Sequence, residues 1–423
     1  VSPTSSLEPT PLAARLAAAL GALYARVPLG MRLGLPPMRE ACARAGNPER
    51  SFECVHIAGT NGKGSVSALV ESAARASGKR TGLYTSPHLA RFAERIRIDG
   101  LPIDDERLVD VLERALVVGA DLSFFETATL AAFLAFRDAG VSLAVLEVGL
   151  GGRLDATNVI ERPLVCAVTR IALDHQDRLG NTCVEIAREK AAIAKPGAPL
   201  VVGPVDADVR AAIVDVAKAC GTEVRDAYAT ALPGEIEVGL EGSYQRENAR
   251  VAYAVLEAIG LAAFAARGFA TARWPGRFER VGTPEGEFLF DAAHNPDGAK
   301  ALVEAIRAAR ERPTSDPLSL RDRPLALVFG ALADKDHRGS LGLLAPLSEA
   351  RFYTEPKGRA PASPEELSRT AEGVACASLD DALAKARAAV GREGIVLVCG
   401  SVYLVGEARA KVLGAPLDPP VAL

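Results

Sequence analysis

Short apolar runs alternate along the chain with longer stretches in which apolar positions recur every three or four residues. That alternation predicts an α/β protein on a mainly parallel sheet, because parallel strands are buried on both faces and are joined by helices. Residues 52–58 read as a strand, a glycine-rich turn follows, and 63–77 read as a helix. Further strands are expected at 80–85, 142–148, 164–169 and 199–202, with helices at 104–118, 126–139, 182–195, 206–219 and 244–259. The stretch GFATARWPG at 268–276 breaks this rhythm with Gly, Trp and Pro, and places a linker at 271–276. The alternation then restarts, with strands at 287–291, 325–330, 351–354 and 395–399 and helices at 297–310 and 379–390; residues 311–323 read as a polar surface loop. The expected architecture is a P-loop-containing, mainly parallel sheet domain over 1–270, followed by a smaller Rossmann-like α/β domain over 277–423.

Composition agrees and narrows the partners. A chain of 423 residues is too long for one ordinary core, and 49% hydrophobic with 24% charged residues is a soluble globular balance. A net charge of −4 gives no reason to expect nucleic acid or an anionic membrane. The seven cysteines form no CxxC pair, which favours small core residues over zinc ligands or disulfides. No basic-then-apolar leader is apparent, the Ala/Leu stretch at 12–23 is broken by Arg15, and no run is long enough to span a bilayer. A cytoplasmic location is therefore expected.

The segment Gly59-Thr60-Asn61-Gly62-Lys63-Gly64-Ser65 lies between an expected strand and an expected helix. Glycines let successive backbone N–H groups converge, and a helix start adds its own donors and the positive end of its dipole. Lys63 can then reach the outer phosphates of a nucleotide and Ser65 can ligate magnesium. The pattern GxxxxGK[ST] is not met, because Ile57 holds the first glycine position and Gly64 the Ser/Thr position. Glu147 ends an apolar run, so it is expected at the carboxyl edge of the sheet, where a carboxylate can hold magnesium against phosphates. Lys190 falls with Ile186 and Ile193 at i, i+4 and i+7 spacing, on an apolar helix stripe. Burial there would lower its pKa and let the neutral amine capture carbon dioxide as a carbamate; otherwise it would snorkel toward Glu185 or Glu189.

GTNGKGS in this form resembles the Mur ligase superfamily, and within it the folylpolyglutamate synthase / dihydrofolate synthase family. Ordered blocks extend the resemblance over nearly the whole chain: TSPHL at 85–89, EVGLGGRLDATN at 147–158, LDHQD at 173–177, IAREKAAIAKPG at 186–197, WPGRFE at 274–279, DAAHNP at 291–296, DKD at 334–336 and GSVYLVG at 400–406. Ala192 and Ala292 depart from the family pattern, which usually has glycine at both positions. The resemblance implies magnesium binding by Ser86, Glu147 and His175, a carboxylated Lys190, ATP contacts from Asn248, Arg277 and Asp291, and His294 beside them. It also implies a dihydropteroate pocket at Ser123, Phe124, Phe125 and Glu126 and at Leu154, Asp155 and Ala156. Paired aromatics suit a flat heterocycle, although either phenylalanine could equally be core.

The activity implied is ATP-dependent amide ligation of L-glutamate to dihydropteroate, to folates or to both, through an acyl phosphate, with a bifunctional monomer expected. Lys63, Lys190, His175, Asp291 and His294 are the expected catalytic set. A cell-wall Mur ligase is disfavoured because such enzymes carry an extra domain before the phosphate loop, and only about 58 residues precede Gly59 here. A P-loop switch would turn over ATP without an acceptor amine, and a GTPase would need an NKxD segment, of which DKD is only a partial look-alike. A purely regulatory ATP-binding module would leave the Ser86, Glu147 and Lys190 blocks without a purpose.

Overall fold

The computed structural model describes residues 10–27, 34–358 and 360–418. Two sheets organise the chain. The first has eight strands: β1 (Glu53–Ala58), β2 (Thr81–Tyr84), β3 (Ile96–Ile98), β4 (Leu101–Pro102), β5 (Leu143–Glu147), β6 (Val165–Val168), β7 (Leu200–Val202) and β8 (Val224–Asp226). Their order is β4-β3-β2-β5-β1-β6-β7-β8; β2–β3 and β3–β4 pair antiparallel and the rest parallel. The second sheet has β9 (Glu279–Thr283), β10 (Gly286–Phe290), β11 (Leu325–Phe329), β12 (Ala350–Tyr353), β13 (Val374–Ala375) and β14 (Ile395–Cys399). Its order is β13-β12-β11-β14-β10-β9, with only β9 antiparallel.

Strand alternation decides which layer each residue joins. Val55 and Ile57 of β1 pack with the helices Lys63–Ala76, Gln245–Ala258 and Ala265–Thr271, while Cys54 faces the opposite layer, built from Pro11–Tyr24, Pro36–Arg44, Asp105–Val118 and Phe124–Asp138. Two of these helices touch backbone to backbone: a Cβ on Gly268 would lie 2.3 Å from Ala73 Cα. That contact places Gly268 inside the helix Ala265–Thr271, so the extended connection starts at Ala272 rather than at 271.

Other expected boundaries shift for identifiable reasons. The helix expected from 126 begins at Phe124 because Ser123 and Glu126 form a capping box. The helix expected over 182–195 is Cys183–Ala191, so Ile193 is buried just beyond it rather than on its stripe. Among the described residues, no helix is long and apolar enough to cross a membrane.

Candidate active site

β1 lies between β5 and β6, so the loops leaving all three open at one carboxyl edge of the sheet. The loop after β1 carries the expected phosphate site. Gly59 and Gly62 take φ of +146° and +88°, conformations open to glycine. A Cβ at Gly59 would strike Thr169 Oγ1, and one at Gly62 would lie 2.4 Å from Asn248 Oδ1. Thr60 is tied to the loop after β6, its N–H bonding Arg170 O at 2.7 Å and its Oγ1 Ala172 O at 3.1 Å. Lys63 Nζ bonds Thr60 O at 3.1 Å and lies 3.9 Å from Glu147 Oε1. Ser65 is buried in the first turn of the helix Lys63–Ala76.

Glu147 ends β5 as expected, with the Ser86 N–H 3.4 Å from Oε2. Burial raises its pKa, opposed by the charges of Lys63 and Arg277. The structure therefore brings Lys63, Ser86 and Glu147 together. His175 belongs to a second group around Asp174. It takes a left-handed φ of +51°, and burial lowers its pKa to about 4 against the pull of Asp174, leaving a neutral imidazole. Among the described residues, no cluster of three or more His, Cys, Asp or Glu stands in metal-ligating geometry. Glu147 contacts Ser86, and His175 contacts Asp174 and Lys335.

Lys190 is 5% exposed. Burial lowers its pKa to about 7; Lys63 and Lys335 add to the lowering, and Asp174 and Asp155 oppose it. Neither acid suggested by snorkelling partners it. Glu185 caps its own helix through the N–H groups of Asn181 and Thr182, and Glu189 bonds Arg153.

Asp174 is the hub that the sequence did not single out. Lys335 Nζ lies 2.5 Å from Oδ1, while His294 Nε2 is 3.4 Å and Asn295 Nδ2 3.3 Å from Oδ2. Burial would raise its carboxyl, but His294, Lys335 and His175 together hold it well below the usual range. Lys335, His294 and Asn295 all come from the second domain. Beside them, Asn61 Nδ2 bonds Asn295 Oδ1 and Asp297 Oδ2, and Arg170 pairs with Asp297 at 2.9 Å. The only signal in sequence was that LDHQD and DKD both stand among the matching blocks.

Asp291 follows β10 and is fully engaged. Oδ2 accepts from Tyr244 Oη at 2.6 Å and Phe278 N at 2.9 Å, and Oδ1 accepts from Ala293 N at 2.9 Å. It fixes the end of the linker, next to Arg277, whose charge is felt by both Asp291 and Glu147. His294 is oriented by Ala292 O at 2.9 Å from Nδ1, and Asn248 by Gln245 at 2.9 Å.

The expected substrate residues divide. Ser123 Oγ bonds Glu126 Oε2 at 2.6 Å within the capping box, so hydroxyl and carboxylate both serve the helix start. Phe124 is buried, whereas Phe125 is partly exposed and lies over Gly149, where a Cβ would meet its ring at 2.4 Å. Both oxygens of Asp155 are occupied: Oδ2 by the N–H groups of Gly149 and Leu150, Oδ1 by Thr157 N and Oγ1. Since the Thr157 hydroxyl donates to Asp155 at 2.5 Å, buried His56 must donate from Nε2 to Thr157 at 2.8 Å. This relay shapes the loop after Glu147, and Leu154 and Ala156 flank its anchoring carboxylate.

Residues 276–402 match the family described as Mur ligase, glutamate ligase domain. Over most of its length the chain is similar to the folylpolyglutamate synthase of Lacticaseibacillus casei, at 35% identity over 87% of this chain and 92% of that one. The dihydrofolate synthase/folylpolyglutamate synthase of Bacillus subtilis is 31% identical over 92% of this chain and 97% of that one. A probable bifunctional folylpolyglutamate synthase/dihydropteroate synthase of Haloferax volcanii is 35% identical over 89% of this chain, which spans about half (48%) of that protein's length. Among solved structures, E. coli FolC in complex with DHPP and ADP superimposes with a TM-score of 0.85 at 31% identity, covering 98% of this chain and 99% of that one. With both domains, the phosphate loop and this coverage agreeing, the chain belongs to the folylpolyglutamate synthase/dihydrofolate synthase family of Mur-type ligases.

Proposed function

We propose that this chain is an ATP-dependent ligase that joins L-glutamate to dihydropteroate and to folates through an acyl phosphate. The observation that carries the reading is the juxtaposition of Lys63 and Glu147, 3.9 Å apart, at a phosphate loop whose Asn61 is bonded by Asn295 and Asp297 of the glutamate-ligase domain. A nucleotide held there faces a second domain whose contacts can exclude water. The bifunctional relatives, and a related structure with Mn, AMPPNP and L-glutamate bound, support the same reading.

The substrate carboxylate attacks the γ-phosphorus of ATP and ADP leaves; the glutamate amine then attacks the acyl carbon, and phosphate leaves. Lys63, Gly59, Thr60, Asn61, Gly62, Gly64 and Ser65 bind and orient the phosphates, with Asn248 and Arg277 closing on the nucleotide. Asp291 holds Tyr244 and the Phe278 N–H at the end of the linker and joins Arg277 at the nucleotide. Ser65, Ser86, Glu147 and His175 fit a magnesium ion, which would neutralise the phosphate charge. A carbamate on Lys190 fits the same centre, because a buried amine with its pKa lowered to about 7, and with no acidic partner at contact distance among the described residues, is poised to form one. Leu154, Ala156 and Phe125 border the acceptor pocket, and ATP, L-glutamate and a pterin acid are its small-molecule partners. A monomer suffices, since both domains lie on one chain. The test is phosphate release with dihydropteroate or tetrahydrofolate, each with and without glutamate.

A further inference from the structure

The segment that follows the helix Val402–Leu413 has no place in that account, yet it returns from the second domain to the first. Asp418 Oδ2 accepts from the Phe92 N–H at 2.7 Å, and the Asp418 N–H donates to Ala90 O at 2.9 Å. Arg91 Nε lies 3.6 Å from the other carboxylate oxygen. The Asp418 side chain is 11% exposed, so its charge is largely withdrawn from water and these partners answer it. The helix itself is seated on the same stretch: Gly406 lies so close to Leu89 O that a Cβ there would be 1.9 Å away. Three residues on, Arg409 Nε and Nη2 hold the Glu279 carboxylate at 2.7 and 2.9 Å, and Glu279 Oε2 accepts from the linker Gly276 N–H at 2.8 Å. One helix and the segment after it thus join the linker, beside Arg277, to residues 89–92 of the first domain.

Those residues belong to a closed loop. The Thr85 N–H donates to Arg95 O at 3.0 Å across its base, and the Glu94 carboxylate accepts from the N–H groups of Leu89, Ala90 and Arg91 inside it. A loop tied in this way moves as a unit, so a grip at Ala90–Phe92 is felt at Ser86, whose N–H faces Glu147. We propose that Asp418 is a positioning residue: it clasps the 85–95 loop to the second domain and so holds Ser86 beside Glu147 for a divalent metal bound with the nucleotide. The inference rests on the folate-ligase reading for what that metal serves. Without the carboxylate, the Phe92 N–H and the Arg91 charge lose an acceptor, the loop loosens, and metal binding must bear the cost of ordering Ser86.

The test measures AMPPNP binding by calorimetry across a magnesium titration, together with amide hydrogen exchange over residues 86–95. Wild type, Asp418→Ala and Asp418→Asn are compared, with Lys411→Met as control, since Lys411 pairs with Asp380 within the second domain. Asp418→Ala is expected to exchange about tenfold faster over the loop and to need about fivefold more magnesium for half-maximal binding. Its affinity at saturating magnesium should change by less than about twofold, because the phosphate loop is untouched. Asp418→Asn, which keeps an acceptor for the Phe92 N–H, should fall between, and Lys411→Met should match wild type. An unchanged magnesium requirement in Asp418→Ala would overturn the proposal whether or not exchange quickens, since the contact would then be packing alone. An equal rise in Lys411→Met would overturn it too, by assigning the effect to the helix in general. If Asp418→Ala shows no cooperative melt, Asp418→Asn decides: a wild-type magnesium requirement refutes. Wild type that binds AMPPNP with magnesium yet ligates glutamate to no acid overturns the ligase reading instead, while the titration still decides the clasp.

Discussion

Gly64 stands where many phosphate loops have a hydroxyl residue, and Trp274 gives the reason. A Cβ on Gly64 would lie 2.7 Å from the indole Nε1, so the linker tryptophan packs directly on the phosphate loop, with the Arg97 guanidinium carbon 5.2 Å from its ring centre. Trp274 is the only tryptophan in the chain, so its emission reports this one contact. Gly64→Ala should displace the indole, shift its emission to the red and cost about 1–3 kcal/mol in packing. Unchanged emission with unchanged nucleotide affinity would remove the steric explanation.

At the same scale, Lys190→Ala should lose activity without losing the fold, since alanine suits a helix interior and the lysine holds no ion pair among the described residues. Lys190→Arg should not restore activity, because a guanidinium cannot form a carbamate. With its pKa lowered to about 7, the amine is increasingly neutral above that pH, so carbamate formation at limiting bicarbonate should fall as pH drops through 7. An unmodified lysine by mass, in fully active enzyme, would refute the carbamate. Lys63, Ser65 and Glu147 were legible because loop chemistry and strand ends are local in sequence. Asp174 was not, because its partners at 294, 295 and 335 meet it only through the packing of two domains.

Most elements long enough to show a period were placed well, although the helices His337–Leu344 and Val402–Leu413 were not anticipated, while β3, β4, β8 and β13, of two or three residues each, carry no readable alternation. The Ser123–Glu126 pair shows a different limit. Its S-x-x-E spacing is a helix-start signal, and the resemblance assigned it to substrate before the cap was considered. His56 on β1 was missed because one polar residue in an apolar strand gives no hint of a relay to Thr157 and Asp155. The relay has a measurable consequence. Burial lowers the His56 pKa to about 3, and His88 lies well below its ordinary value for the same reason. Both are neutral in the folded state where the unfolded chain, with a His pKa of about 6.5, takes up protons. Their contribution is therefore complete above about pH 6.5 and declines as pH falls, by up to about 1.4 kcal/mol per pH unit per histidine. Denaturant melts of wild type and His56→Gln between pH 7 and 4.5 should show a shallower loss in the variant; identical slopes would mean His56 is not the proton-linked group.

The whole molecule places its chemistry between two sheets. β1, β5 and β6 present phosphate and metal residues at one edge, and β10 with its following helix Pro296–Glu311 presents Asp291, His294, Asn295 and Asp297 across the gap. Further contacts hold the domains: a Cβ on Gly406 would lie 1.9 Å from Leu89 O, and Asp418 Oδ2 accepts from Phe92 N at 2.7 Å. The Gly, Trp and Pro of the linker announced two domains, but composition gave no view of these cross-domain polar contacts, which depend on register and orientation. They also favour the proposed ligase over a switch, because the residues facing the phosphate loop lie in the part that matches the glutamate ligase domain. The most direct measurement is ADP and phosphate release from Mg–ATP with dihydropteroate or tetrahydrofolate, each with and without L-glutamate. Release is expected only when acid and glutamate are both present, in step with amide formation. Rapid ATP turnover that ignores both substrates would contradict the ligase.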